Sequence, residues 1–260
     1  MNKEIINKTI IFFMENLGYS VDEYLLNSLN DKELNAVLNF TMNLRRNRRG
    51  SIWDQRDPRY RIKYLYYITP IENLDSILRY GRIFSRNELQ KRNYKFVDFS
   101  DQDVQSRRAK KVVDGHSLHD YVNLYINPRN AMLYRYLKEK RKIAVLQISN
   151  RILSKDWNIQ YSFRNASTDK AIISKKPDKI LQNYNDIMSY SWGNNDDLKQ
   201  IMQSEVLVLG YVPADFISRV FVKKENFELV KKILGKYKYK IEVYTSSTHI
   251  KDLFFEEEFE

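Results

Sequence analysis

GHSLHDYVNLYINPRNAMLYR, residues 115–135, is the stretch on which the reading of the chain turns. Tyr121, Leu124 and Ile126 mark a short strand, and Asn123 and Asn127 break its apolar pattern with amides that a plain core strand does not carry. The segment therefore predicts a strand with polar groups aimed at a pocket. Pro128 ends it, because proline has no N–H to give to a sheet ladder. Before it stands a histidine-rich loop, and after the Asn127-Pro128-Arg129 turn the pattern becomes helical.

The 260 residues suffice for one main domain with a real hydrophobic core, or a domain with an appendage. Lysine and arginine number 44 against 33 acids, a net charge of +11. The last ten residues hold five of those acids and one lysine, so the body carries 43 cations against 28 acids. Such a balance points to an anionic partner, nucleic acid first and an anionic membrane second, and the bland alternative is charge kept for solubility. No cysteine is present, which excludes disulfides and thiolate metal sites and makes the cytoplasm the expected compartment. The apolar run Thr9 to Met14 is too short for a membrane span and wrongly flanked for a signal peptide. None of the seven glycines falls in a dinucleotide-binding or P-loop array.

Upstream, residues 2–17 place Ile5, Ile6, Ile10, Phe13 and Leu17 at helical spacing ended by Gly18. Asp22 is expected to cap a second helix through Leu29, and Asp31 a third with Leu34, Val37 and Leu38 inward. That third helix runs into Arg45-Arg46-Asn47-Arg48-Arg49, either a helix end complementing the macrodipole or a phosphate-contacting patch. Residues 51–61 read as a linker, so an N-terminal helical segment, 1–60, is set apart from a main domain, 61–250. Tyr64 to Thr69 predicts a strand, Ile71 to Tyr80 a helix with Gly81 at C′, and 82–114 a long polar region. Downstream, Ile143 to Ile148 predicts a buried strand, followed by an irregular span, 149–203, of the kind that is functional more often than accidental. Strands at 204–208, 217–222 and 239–244, a helix at 225–234 and a frayed acidic tail, 251–260, complete the prediction.

His116, His119 and Asp120 could suggest a metal site, but no third spaced ligand follows, so His119 and Asp120 read more simply as hydrogen-bonding groups in a pocket wall. Glu205 precedes Val206-Leu207-Val208, where an unpaired charge at a buried strand is costly. Taken alone it reads more simply as a solvent-facing acid at the start of a strand.

Taken together, Tyr66-Tyr67-Ile68-Thr69-x-Ile71-x-Asn73-Leu74, then Gln105-Ser106-Arg107-Arg108, the 115–135 stretch, Asn165-Ala166 and Ser204-Glu205-Val206-Leu207-Val208, in that order, resemble the DarT family of NAD-dependent DNA ADP-ribosyltransferase toxins. The resemblance covers about residues 64–222. It implies an α+β fold, an ADP-ribosyltransferase-like split β-sandwich core with flanking helices, to which the N-terminal helical segment is added. It implies transfer of one ADP-ribose from NAD, used as co-substrate without a metal, to a base in single-stranded DNA. It implies a macrodomain antitoxin as partner and a role in toxin-antitoxin or phage-defence systems; no membrane is involved, and a monomer is expected.

By match to the family motif Glu205 is the catalytic glutamate, holding the nicotinamide ribose and stabilising oxocarbenium-like charge. Arg108 matches the functional arginine, and Arg107 joins Tyr67, Thr69, Asn73 and Tyr121 as NAD-binding candidates. The family strand usually reads Tyr-His-Ile-Thr-His, and Tyr67 and Pro70 stand here for its two histidines. A tyrosine hydroxyl donates and accepts as an imidazole does, so Tyr67 is expected to substitute. Arg129, Arg135, Lys155, Arg164 and Asn165 are the DNA-binding candidates, since single strands are held by positive grooves and aromatic stacking. The competing readings are a metal-dependent nuclease using His116, His119 and Asp120, and a non-catalytic nucleic-acid-binding module.

Overall fold

The computed structural model describes residues 3–16, 21–50, 58–154, 157–247 and 250–259. The chain divides into two compact units, Met1–Asp57 and Pro58–Glu260.

In the first unit α1 (Lys3–Asn16), α2 (Glu23–Ser28) and α3 (Asp31–Gly50) bury Ile6, Ile10, Leu26, Leu34 and Leu38 in a small core of their own. Asp22 caps α2 by accepting from the Tyr24 and Leu25 amides. The cap of α3 is Asn30 rather than the expected Asp31. Asn30 accepts from the Lys32 and Glu33 amides while its own N–H donates to Glu33, a reciprocal capping box that Asp31 is one residue too late to make. The side chains of Arg45, Arg46, Arg48 and Arg49 lie outside the described residues.

The second unit opens with α4 (Pro58–Arg61), β1 (Tyr64–Pro70), a 3₁₀ turn at Ile71–Asn73 and α5 (Leu74–Tyr80). Gly81 ends α5 at φ 67°, and a Cβ there would come 2.8 Å from the Tyr239 hydroxyl, so glycine meets both demands of the position. Then follow β2 (Arg82–Phe84), α6 (Arg86–Lys91), α7 (Gln102–Lys110), β3 (Val112–Val113), β4 (His116–Ser117), β5 (Tyr121–Tyr125), α8 (Ala131–Lys138) and β6 (Ile143–Ser149). The span expected to be irregular contains β7 (Ile159–Phe163), β8 (Ile172–Ser174), α9 (Asp178–Gln182), α10 (Tyr184–Ile187) and α11 (Asp196–Ile201). The chain finishes with β9 (Glu205–Leu209), β10 (Tyr211–Pro213), β11 (Ile217–Val222), α12 (Phe227–Leu234), β12 (Glu242–Tyr244) and α13 (Glu256–Phe259).

Eight strands form one mixed sheet in the order β12-β11-β6-β1-β5-β9-β7-β8. Its two halves meet at β1 and β5, which share the single register pair Tyr66↔Tyr125, whereas β1 pairs with β6 along its whole length. The sheet is thus nearly split, and the chain is an α+β protein. One face is covered by α5 and α12, with Leu65, Leu124, Leu146 and Val206 beneath them. The other takes α8 and the C-terminal segment, over Tyr66, Ile68, Val145 and Phe221. Leu65 and Tyr66 fall on opposite faces because successive strand residues alternate.

The C-terminal segment is not a frayed tail. Phe254 and Phe255 are buried, and Asp252 and Glu258 pair with Arg129. The acids of the tail are there to meet a buried cation, and two phenylalanines among them supply the apolar anchor.

Candidate active site

Glu205 begins β9, where it pairs in register with Tyr125 of β5 and Ser162 of β7. That places a carboxylate in mid-sheet beside the split, with the apolar run Val206 to Val208 holding it there. It has no exposed surface. Its Oε1 accepts from the Ala166 amide at 2.8 Å and from Arg108 Nη1 at 3.4 Å. Its Oε2 and the Arg108 Nη2 have no partner among the described residues. A buried charge left half satisfied is costly, so an unpartnered atom on each member of a contacting pair marks a place built for another group.

Arg108 arrives by way of α7, whose N-terminus is fixed by Asp101 accepting from the Asp103 and Val104 amides. Within the charged run Gln105 to Lys111, Arg108 is the residue that turns inward; Arg107 stays exposed at the cleft rim. The Ala166 amide is aimed by a tight turn. Asn165 Oδ1 accepts from the Ser167 amide and hydroxyl, and Thr168 Oγ1 donates to the Asn165 carbonyl at 2.8 Å. Asn165 Nδ2 also reaches Gln203 Oε1, two residues before Glu205, at 3.0 Å. Lys111 donates to the Thr168 carbonyl at 2.6 Å, and burial holds its ammonium below the usual lysine range.

In front of Arg108 opens a cleft of about 670 Å³. The structure brings Tyr67, Thr69, Asn73, Arg107 and Tyr121 together on its wall, along with Arg108, Arg135 and Asn165. Glu205 does not line the cleft itself but touches Arg108, which does. Asn73 Nδ2 donates to Thr69 Oγ1 at 3.2 Å and to the Val97 carbonyl at 2.8 Å, so it ties the 93–100 loop to β1. Burial, with Asp98 second, pushes the Tyr67 phenol up to about 12, so it remains a hydrogen-bond donor. The Tyr121 hydroxyl donates to the Val113 carbonyl at 3.0 Å.

Of the two amides in the opening stretch, Asn123 lines the cleft, but Asn127 is buried away from it and donates to the Ile187 and Ser189 carbonyls. His119 Nε2 meets Gln105 Oε1 at 2.8 Å, and burial first, then Arg86 and Arg108, lowers its pKa. Asp120 accepts from Asn87 Nδ2 and the Ser117 amide. Among the described residues no group of three or more His, Asp or Glu could hold a metal ion. His119 lines the cleft, and Asp120 holds the Ser117 turn and Asn87 beside it.

The DNA-binding candidates are scattered. Arg129 is buried, its guanidinium centred 4.1 Å from the Tyr190 ring and 3.9 Å from that of Phe255, and it bonds to Asp252, Glu258 and the Tyr190 carbonyl. It faces the core, and the expectation that it contacts DNA is corrected. Arg164 pairs with Asp197 at 2.9 Å and Arg135 with Asp101 at 3.2 Å. Lys155 lies outside the described residues. Sequence reasoning missed the Ala166 amide, which has no side-chain signal, and the cleft residues Trp192, Lys199 and Gln203, which stand in the span that showed no periodicity.

A family model described as ssDNA thymidine ADP-ribosyltransferase, DarT, matches residues 66–255. The chain belongs to the DarT family. A DNA ADP-ribosyl transferase-DNA ADP-ribosyl glycohydrolase fusion protein of Thermosipho africanus is 32% identical over 168 residues, 62% of this chain and 43% of the fusion. This chain therefore spans less than half of that relative. A DNA ADP-ribosyl transferase of Thermus sp. is 26% identical over 183 residues, 66% of this chain and 88% of the relative. Among solved structures, Thermosipho africanus DarTG in complex with ADP-ribose superposes with a TM-score of 0.64 at 28% identity, covering 74% of this chain and 51% of that one. Thermus sp. 2.9 DarT in complex with ADP-ribosylated ssDNA gives 0.63 at 24% identity, covering 70% of this chain and 94% of that one, and shares the fold. Residues 1–57 fall outside the family match.

Proposed function

We propose that this chain is an NAD-dependent mono-ADP-ribosyltransferase that modifies a base, thymine by the family description, in single-stranded DNA. One observation carries the reading: the fully buried Glu205, with Oε2 unpartnered among the described residues, stands against Arg108, whose Nη2 is likewise unpartnered and which lines a cleft large enough for a dinucleotide. Glu205 Oε2 would accept from the nicotinamide ribose and oppose the positive charge that grows on it as the bond to nicotinamide breaks. Nicotinamide leaves with the bonding electrons, the base nitrogen forms the new bond to the ribose carbon, and its proton passes to Glu205. Arg108 Nη2 would hold a diphosphate or carbonyl oxygen, and the Tyr67 hydroxyl would take the place of the family histidine. The fit to NAD rests on these unsatisfied atoms and on the cleft's mix of hydroxyls, amides and aromatic rings.

The Thermosipho relative, which joins a transferase to a glycohydrolase, supports a removing enzyme of the macrodomain type as partner, and with it a toxin-antitoxin or phage-defence role. Among the described residues no helix is long and apolar enough to cross a membrane. A cytoplasmic monomer is part of the same proposal. Incubation of the purified chain with NAD and single-stranded oligonucleotides tests the activity: a product one ADP-ribose heavier, absent with Glu205→Gln, supports it, and no product from any oligonucleotide contradicts it.

A further inference from the structure

A net charge of +11 has to reside somewhere, and the expected arginines do not supply it, because Arg129, Arg135 and Arg164 are all ion-paired. One group of cations without an ion pair among the described residues lies at the end of the sheet beside the cleft. Helix α8 closes on Lys138, which lines the cleft, and the chain then turns through Lys140 and Lys142 into β6. The register Val222↔Ala144 brings residues 223–224 to the same end. Lys138, Lys140, Lys142 and Lys224 are exposed, and none makes an ion pair among the described residues. Of the nearby acids, Glu139 is already engaged by Arg135 and Arg141, and Glu225 and Glu72 remain, the latter next to the Ile71 N–H that donates to the Lys142 carbonyl.

The turn itself carries a second signal. Lys140 has φ 55°, with its N–H on the Leu137 carbonyl and the Arg141 N–H on that of Tyr136. This is the left-handed position after a helix where glycine is the easy residue, and a side chain there is strained. The cation is kept where the backbone would prefer none. Beside it, Phe99 joins the turn to the cleft wall: its ring lies 4.7 Å from the Arg141 guanidinium and edge-on to Tyr136.

We propose that this lysine turn, Lys138 to Lys142 with Lys224, holds the phosphates of the single strand flanking the base in the cleft. Ammonium groups on a strained, ordered turn next to an aromatic wall are what a sequence-tolerant single-strand track requires. The inference rests on the reading of single-stranded DNA as substrate.

The test is the variant Lys140→Gly/Lys142→Ala/Lys224→Ala, assayed for binding to a strand of about 20 nucleotides across a salt series, with a short strand of about five nucleotides and a duplex as controls. Three lost phosphate contacts should lower the slope of log affinity against log salt by about 2 and weaken binding to the long strand roughly tenfold at 0.1 M salt. Thermal stability should not fall, since glycine relieves the strain, and modification of the short strand should proceed as in the wild type. An unchanged slope, equal effects on strand and duplex, or a loss confined to anionic phosphatidylserine vesicles would overturn the proposal. Failure of the wild type to modify the short strand would count against the transferase reading and leave the binding result to stand on its own.

Discussion

Arg108 Nη1 stands 3.4 Å from Glu205 Oε1, and each side chain keeps its other terminal atom without a partner. The two are 97 residues apart, brought together because α7 delivers one and the central strand β9 the other. Both charges are out of water, so each is the other's main compensation. Removing one should therefore show in stability as well as in chemistry. Glu205→Ala is expected to cost about 3 kcal/mol in denaturant unfolding, as it leaves a buried guanidinium unpaired, and Glu205→Gln markedly less. Both should lower ADP-ribose transfer by at least about a hundredfold. A Glu205→Ala protein as stable as the wild type would show that the pair is not the compensation claimed.

Arg129 makes the opposite prediction. Buried between two aromatic rings and bonded to Asp252 and Glu258, it locks the C-terminal segment to the domain. Arg129→Ala should destabilise by about 3 kcal/mol, and removal of residues 250–260 should destabilise too, since it uncovers Phe254 and Phe255. DNA affinity of folded Arg129→Ala and its salt slope should stay as they are. A changed slope with unchanged stability would return Arg129 to the DNA surface.

His119 sets a pH dependence. Burial depresses its pKa, so below about 6.5 the unfolded chain binds a proton that the folded chain resists. Stability should fall as pH drops below that value, and His119→Asn should remove this component. The check is denaturant unfolding at pH 5 to 7, where parallel curves for the two proteins would contradict the assignment.

Tyr67→Phe keeps the ring and removes the hydroxyl. Because burial raises the phenol to about 12, the group is a donor throughout the neutral range, and no ionisation of Tyr67 should appear in the rate profile below pH 10. Tyr67→Phe should weaken NAD binding, by about tenfold for one lost hydrogen bond, and Tyr67→His should restore most of it. Calorimetry with NAD checks both.

The sequence was most legible where a residue type carries its own constraint. Gly81 is where a helix had to end, and Ile143 to Ile148 is a strand inside the core. Glu205 and Arg108 stood out through the order of motifs rather than by periodicity. Arg129 could not be placed from sequence, since an arginine facing water and one sandwiched between Tyr190 and Phe255 are spelled alike, and its acidic partners lie 123 and 129 residues downstream. Strands β7 and β8 were hidden because they are short and carry Gln160, Ser162 and Ser174. The amide of Ala166 is a backbone group, and its role emerges only when the turn after β7 is folded against β9.

On the proposed reading, Glu205 and Arg108 transfer ADP-ribose from NAD to a base of single-stranded DNA. Mass spectrometry of the nucleosides released from a mixed-sequence single strand after incubation with NAD tests it most directly. One nucleoside, thymidine, is expected to carry a single ADP-ribose with the wild type and none with Glu205→Gln. Unmodified nucleosides throughout, from a folded protein that binds NAD, would contradict it.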